Sequence, residues 1–117
     1  MTVRKKDITF RSTCPIARSL DILGDKWTLV IMRDALYFDR HTFAEFERSG
    51  EQIPTNLLAD RLKKLVELGL LDRILYQEHP TRYRYEPTDL GREIKPLLQN
   101  LKLFGEKHLG GKAPRRR

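Results

Sequence analysis

The chain has 117 residues, of which 39% are apolar and 33% charged, with a formal net charge of +7. That length and balance suit one globular domain with one modest core. No apolar run approaches the roughly 18 residues that a membrane span needs, and a single cysteine, Cys14, excludes an intrachain disulfide and any multi-cysteine zinc site.

The positive charge is unevenly spread. Residues 1–13 set Arg4, Lys5, Lys6 and Arg11 against Asp7, a net +3, and residues 109–117 hold Lys112, Arg115, Arg116 and Arg117, a net +4, so residues 14–108 are neutral. Two basic ends suit a phosphate backbone and equally suit solubilising tails, so charge alone does not decide the partner. Met1 to Phe10 is basic and polar, without the apolar stretch of a secretory leader, and cytoplasmic residence is expected.

In chain order, the first helix opens at Cys14-Pro15, with Ile16, Leu20 and Leu23 recurring on one face and Gly24 as its C′ stop. Asp25 caps a second helix running to about Tyr37. Trp27, Leu29, Val30, Ile31, Met32, Ala35 and Leu36 cover most of its circumference, as in a helix at the centre of a fold. Thr42 and Glu45 form a capping box for a short third helix that turns Phe43 and Phe46 inward. After the turn Ser49-Gly50-Glu51-Gln52, a fourth helix starts at Pro54 or Thr55 and ends at Leu68. Leu58, Leu62 and Leu65 form its buried stripe, and Gly69 stops it. The period then changes to that of a strand over Leu70 to Gln77, a turn at His79-Pro80-Thr81, and a second strand over Arg82 to Glu86 that alternates charged and aromatic residues. Thr88 caps a last helical run with Leu90, Ile94, Leu97, Leu98, Leu101 and Phe104 on one face, which Pro96 should kink or divide.

This order predicts a mainly α fold with a small β-hairpin: a winged helix-turn-helix with an N-terminal arm and a C-terminal dimerisation helix. The expected boundaries are a flexible basic arm over 1–13, the domain over 14–109 and a basic tail over 110–117. The major groove is about 12 Å wide and admits one helix. That helix must bury one stripe and project the other. On the projecting side of the fourth helix lie Thr55, Asn56, Ala59, Asp60, Arg61, Lys63 and Lys64. Thr55 and Asn56 sit at the end that commonly reads base edges, while Arg61 and Lys64 suit phosphates or guanine. Asp60 is expected to accept from cytosine or to pair with Lys63 or Lys64. Lys26 suits the DNA backbone. On the wing, His79, Thr81, Arg82 and Arg84 follow a proline-stiffened turn and can enter a narrow minor groove.

The residues Cys14-Pro15-Ile16, Leu23-Gly24-Asp25-Lys26-Trp27-Thr28-Leu29, Phe43-Ala44-Glu45-Phe46, Ile53-Pro54-Thr55-Asn56-Leu57-Leu58-Ala59-Asp60-Arg61-Leu62, Leu68-Gly69-Leu70-Leu71, Arg82-Tyr83, Tyr85 and Thr88-Asp89-Leu90-Gly91 form a pattern. From Cys14 to about Gly110 the chain resembles the HxlR-type winged-helix transcription regulators, relatives of the MarR family. The resemblance implies a homodimer on double-stranded DNA at a pseudo-palindromic operator, with contacts from the first helix, the N-terminal arm and the C-terminal helix. Ile16 and Leu20 fall on the first of these. It departs from the family at Gly50-Glu51-Gln52-Ile53, where glycine commonly stands directly before the isoleucine, and at Phe104-Gly105, where Trp-Gly is more usual. Several such proteins sense oxidants or electrophiles through a cysteine near the first helix, the position of Cys14. A helix N-terminus favours thiolate, and Arg11 and Arg18 lie close in sequence.

A dimer also follows from the residues. Leu90, Ile94, Leu97, Leu101 and Phe104 form a longer apolar stripe than so small a core covers. Two-fold symmetry would then set half-sites about 34 Å apart. An enzyme is not expected. His41, His79 and His108 fall in three different elements without metal-ligand spacing, and no phosphate loop or placed base accompanies the cysteine. No cofactor, metal or membrane is expected, and no effector is legible. The competing class is a winged helix that binds protein and not DNA.

Overall fold

The computed structural model describes residues 8–112. Six helices and one hairpin follow in order: α1 (Pro15–Leu23), α2 (Thr28–Tyr37), α3 (Phe43–Glu47), α4 (Thr55–Leu68), β1 (Leu71–Gln77), β2 (Arg82–Pro87), α5 (Asp89–Arg92) and α6 (Lys95–His108). The strands pair antiparallel, with Leu71 opposite Pro87 and Leu75 opposite Tyr83, and an irregularity between Leu75 and Gln77. This is a winged helix-turn-helix, as the sequence predicts. The basic arm and tail lie partly outside the described residues. Of the arm, residues 8–13 rest against the domain rather than hanging free. Ile8 packs on the core, Phe10 lies under the Arg18 guanidinium at 4.8 Å, and Arg11 reaches Asp21 at 2.7 Å.

The core is built where the apolar periods converge: Ile31, Met32 and Ala35 of α2, Phe46 of α3, Ile53, the α4 leucines 58, 62, 65 and 68, then Leu70, Leu71 and Ile94. The capping box at the start of α3 forms as expected. The Thr42 hydroxyl accepts from the Glu45 amide at 3.2 Å. The Glu45 carboxylate accepts from the amides of His41 and Thr42, which hold it below its ordinary range.

Two terminations differ in kind. Gly69 ends α4 at φ 84°, a left-handed conformation that favours glycine. Gly24 ends α1 at φ −84°, so it is not the left-handed stop expected. A Cβ there would meet the Leu20 carbonyl oxygen at 2.4 Å, and space, not backbone handedness, is the reason for glycine. Asp25 does cap α2, though from further out than a flanking residue. Its carboxylate accepts from the amides of Trp27 at 3.1 Å and Thr28 at 3.2 Å, and from the Thr28 hydroxyl.

The second helix is not apolar all round. Asp34 is fully buried, held by Arg33 at 2.8 Å and Arg40 at 3.2 Å. A buried carboxylate needs such partners.

Pro96 divides the last helical run, as expected, leaving α5 and α6. The Thr88 hydroxyl accepts from the Gly91 amide at 2.9 Å and donates to the Gly69 carbonyl at 2.6 Å. It thereby locks α5 onto the end of α4. Ile94, expected at the dimer face, is a core residue, and Leu90 is partly buried against that core. The break between α5 and α6 turns both inward, off the expected dimer face.

Candidate nucleic-acid interface

The helix-turn-helix is α3, the turn 48–54 and α4. Leucines 58, 62, 65 and 68 anchor α4 on the core, at most 2% exposed. The opposite side leaves Thr55, Asn56, Ala59, Asp60, Lys63 and Lys64 exposed. The Thr55 hydroxyl donates to the Glu47 carboxylate at 3.2 Å, tying the start of α4 to the end of α3. Lys63 and Lys64 hold no ion pair among the described residues.

Arg61 departs from the expected set. Its side chain is folded back, with Nε donating to the Asp25 carboxylate at 2.8 Å. Its Nη1 meets Asp60, so Asp60 pairs with Arg61 rather than with Lys63 or Lys64. Burial would raise the Asp25 carboxyl, but the Thr28 hydroxyl, the Arg61 guanidinium and the Trp27 amide more than offset it and hold it at about 2. Arg61 therefore braces α4 against the start of α2. Lys26 is exposed, its ammonium 4.6 Å from the Trp27 ring centroid.

On the wing, His79, Thr81 and Arg82 are exposed, while Arg84 is not at the tip. It stands on β2 opposite Ile74 and donates twice to one Glu86 oxygen, from Nε at 3.0 Å and Nη2 at 2.8 Å. That acid takes up the charge expected to face DNA.

Sequence reasoning missed the joint between the wing and the helix-turn-helix. The Tyr85 amide donates to the His41 carbonyl at 2.7 Å. The His41 ring lies 3.1 Å from the Tyr85 carbonyl, 3.2 Å from Glu86 and 2.8 Å from Asp39. A histidine just before a capping box was the available signal, but its partners on the wing, Tyr85 and Glu86, lie over forty residues away.

Cys14 is exposed at the N-cap of α1, and its amide donates to the Ser12 hydroxyl at 3.0 Å. The two arginines expected beside its thiol are engaged elsewhere, Arg11 on Asp21 and Arg18 on the Ser12 carbonyl at 2.7 Å. Among the expected dimer residues, Ile16 is 72% exposed, Leu20 55%, Leu97 38%, Leu101 48% and Phe104 58%. Leu103 and Leu109, not foreseen, are exposed as well. Among the described residues no helix is long and apolar enough to cross a membrane.

Comparison with known proteins bears on the whole arrangement. A family model described as HxlR-like helix-turn-helix matches residues 22–113. The HTH-type transcriptional regulator MT3179 of Mycobacterium tuberculosis is 37% identical over 94 residues, covering 80% of this chain. The chain spans only 58% of that relative's length. YdeP of Bacillus subtilis, also an HTH-type transcriptional regulator, is 30% identical over 112 residues, 92% of this chain and 87% of YdeP. Among solved structures, the redox regulator HypR in its reduced form superposes with a TM-score of 0.72 at 28% identity, covering 80% of this chain and 92% of HypR.

Proposed function

Since the chain belongs to the HxlR-like helix-turn-helix family of transcriptional regulators, we propose that it regulates transcription by binding double-stranded DNA sequence-specifically as a homodimer. The observation that carries this reading is α4. Four leucines fix it, and its opposite edge is exposed along its length, with small polar groups at the N-terminal end and beyond them two lysines without an ion pair among the described residues. That geometry suits insertion in a major groove, with Thr55 and Asn56 at base edges and Lys63 and Lys64 at phosphates. Lys26 supports the backbone contact, and Arg82 with His79 and Thr81 the wing contact. Arg61 and Arg84 hold their neighbours in place. Members of such a family are regulators and not enzymes. The protein works in the cytoplasm, where its DNA is.

Gel shift with the DNA upstream of its own gene, across a salt series, tests this. Binding should weaken steeply with salt as counterions return to the phosphates. Lys64→Ala and Arg82→Ala should weaken all sequences alike and flatten the salt slope by about 1 each, whereas Asn56→Ala should change sequence preference. Binding indifferent to all three sinks the assignment and favours a protein-binding winged helix.

The likeness to a redox regulator and the exposed Cys14 support a second element: oxidant control through this thiol. Two Cys14 thiols from two subunits would lose two protons and two electrons to an oxidant and join as a disulfide; alternatively a small disulfide would cap one by exchange. Oxidant-dependent DNA release should vanish in Cys14→Ser; its persistence excludes the idea.

A further inference from the structure

Between α2 and α6 lies a cleft of about 500 Å3, within the roughly 300–1,000 Å3 that encloses small organic ligands. Leu29 and Val30 line it from α2, and Leu98 and Leu101 from α6. Its charged lining is predominantly cationic, with Arg33, Lys102 and Lys112 against Glu106. Lys102 has no ion pair among the described residues, so its charge is unspent. The most exposed apolar side chains of α6, Leu103 and Phe104, are not part of this lining. Leu101 alone of the expected dimer residues belongs to both the lining and that face, so a second copy packed on Leu103 and Phe104 borders the cleft at this one side chain.

Arg33 belongs to two environments at once. It lines the cleft, and its guanidinium also holds the turn ahead of α4, with Nη1 on Glu51 at 3.1 Å and Nη2 3.4 Å from the Ser49 hydroxyl. Asp34, fully buried, anchors the other edge of the same guanidinium. The Glu51 partner is 41% exposed and is the pair more easily exchanged, because an exposed ion pair gains little in water.

We propose that this cleft binds a small organic carboxylate with an apolar body, and that the bound carboxylate competes with Glu51 for Arg33 and so loosens the turn that sets α4. The apolar frame fills the leucine-lined wall, and Lys102 supplies the first counter-charge. Occupancy then couples to the reading helix because the ligand binds better when Arg33 has left Glu51. This goes beyond the regulator reading, and its test uses no DNA, so the two can fail separately.

Calorimetry of the full chain with 2-naphthoate and with uncharged 2-naphthamide tests the site. The acid should bind saturably and about ten-fold tighter than the amide, the worth of one charge-assisted contact. Lys102→Gln, an exposed change, should bring the two within about three-fold of each other. Leu98→Trp should fill the cleft and abolish both heats with the circular dichroism unchanged. Equal affinities for acid and amide in the parent protein overturn the proposal, as does naphthoate heat that survives both variants. A shift in sedimentation by Leu98→Trp, with no naphthoate heat in the parent, makes the cleft a seam between copies and likewise overturns it. For the coupling, amide exchange at residues 49–53 should quicken about five-fold on saturation as the turn opens locally. Glu51→Gln should bind naphthoate more tightly. Unchanged exchange and unchanged affinity in that variant refute the link through Arg33.

Discussion

Asp25 is where a cap and a tertiary brace share one carboxylate. Its ordinary value is 3.8 and its folded value about 2. Above 3.8 it is ionised folded and unfolded, and its stabilisation is complete. That stabilisation declines as pH falls below 3.8 and is gone once the carboxyl is protonated below about 2. Asp25→Ala should cost about 1–2 kcal/mol near neutral pH, and the gap to the parent in urea unfolding should close towards pH 2. The cap was legible from one residue before an apolar run. Arg61 was not, because periodicity puts it on the polar edge of α4 without saying that the start of α2 lies within reach. Gln52 carries a similar lesson. It stands where the family commonly has glycine, and it adopts φ 57°, a left-handed conformation that costs an ordinary residue about 1–2 kcal/mol. Glycine gives back part of that in chain entropy. Gln52→Gly should therefore raise stability by about 0.5 kcal/mol, read as a higher denaturant midpoint at constant slope.

At the scale of elements, the turn and cap chemistry was readable because it is local. The Thr42–Glu45 box, Gly69, Thr88 and the Pro96 division each need only a few neighbouring residues. Burial within an element was less so. The stripe from Leu90 to Phe104 looks uniform in sequence, yet the break between α5 and α6 sends Ile94 into the core and leaves Phe104 outside. Asp34 was hidden by its apolar neighbours in α2, since its partner Arg40 lies beyond the helix end. The junction of α5 with α4 admits the sharpest test. A Cβ at Gly91 would stand 2.1 Å from the Leu70 carbonyl oxygen, and backbone cannot yield as a side-chain tip does. Gly91→Ala should cost about 3 kcal/mol, measured by thermal unfolding. A loss below about 1 kcal/mol would mean that α5 is free to shift.

For the whole molecule, exposed apolar residues gather on α1 and on α6 with Leu109 just past its end, and a separate group, Ile74, Leu75 and Tyr76, lies on β1. The surface on α1 and α6 suits the proposed dimer; the exposure of Ile16, Leu20, Leu97, Leu101 and Phe104 was legible in the sequence, that of Leu103 and Leu109 was not. Phe104→Glu should leave the melting of the isolated subunit nearly unchanged, since surface changes stay within about 0.5 kcal/mol. It should weaken self-association by about ten-fold or more in sedimentation, the size of a buried aromatic anchor. Undiminished association would move the interface elsewhere. The wing's attachment sets a further limit. Because Tyr85 and His41 exchange main-chain and ring contacts just ahead of α3, the hairpin and the helix-turn-helix should travel as one stiff caliper, its jaws at a fixed gap. In the proposed dimer any elasticity then falls between calipers, so the tract separating two operator arms should tolerate insertions that neither arm does.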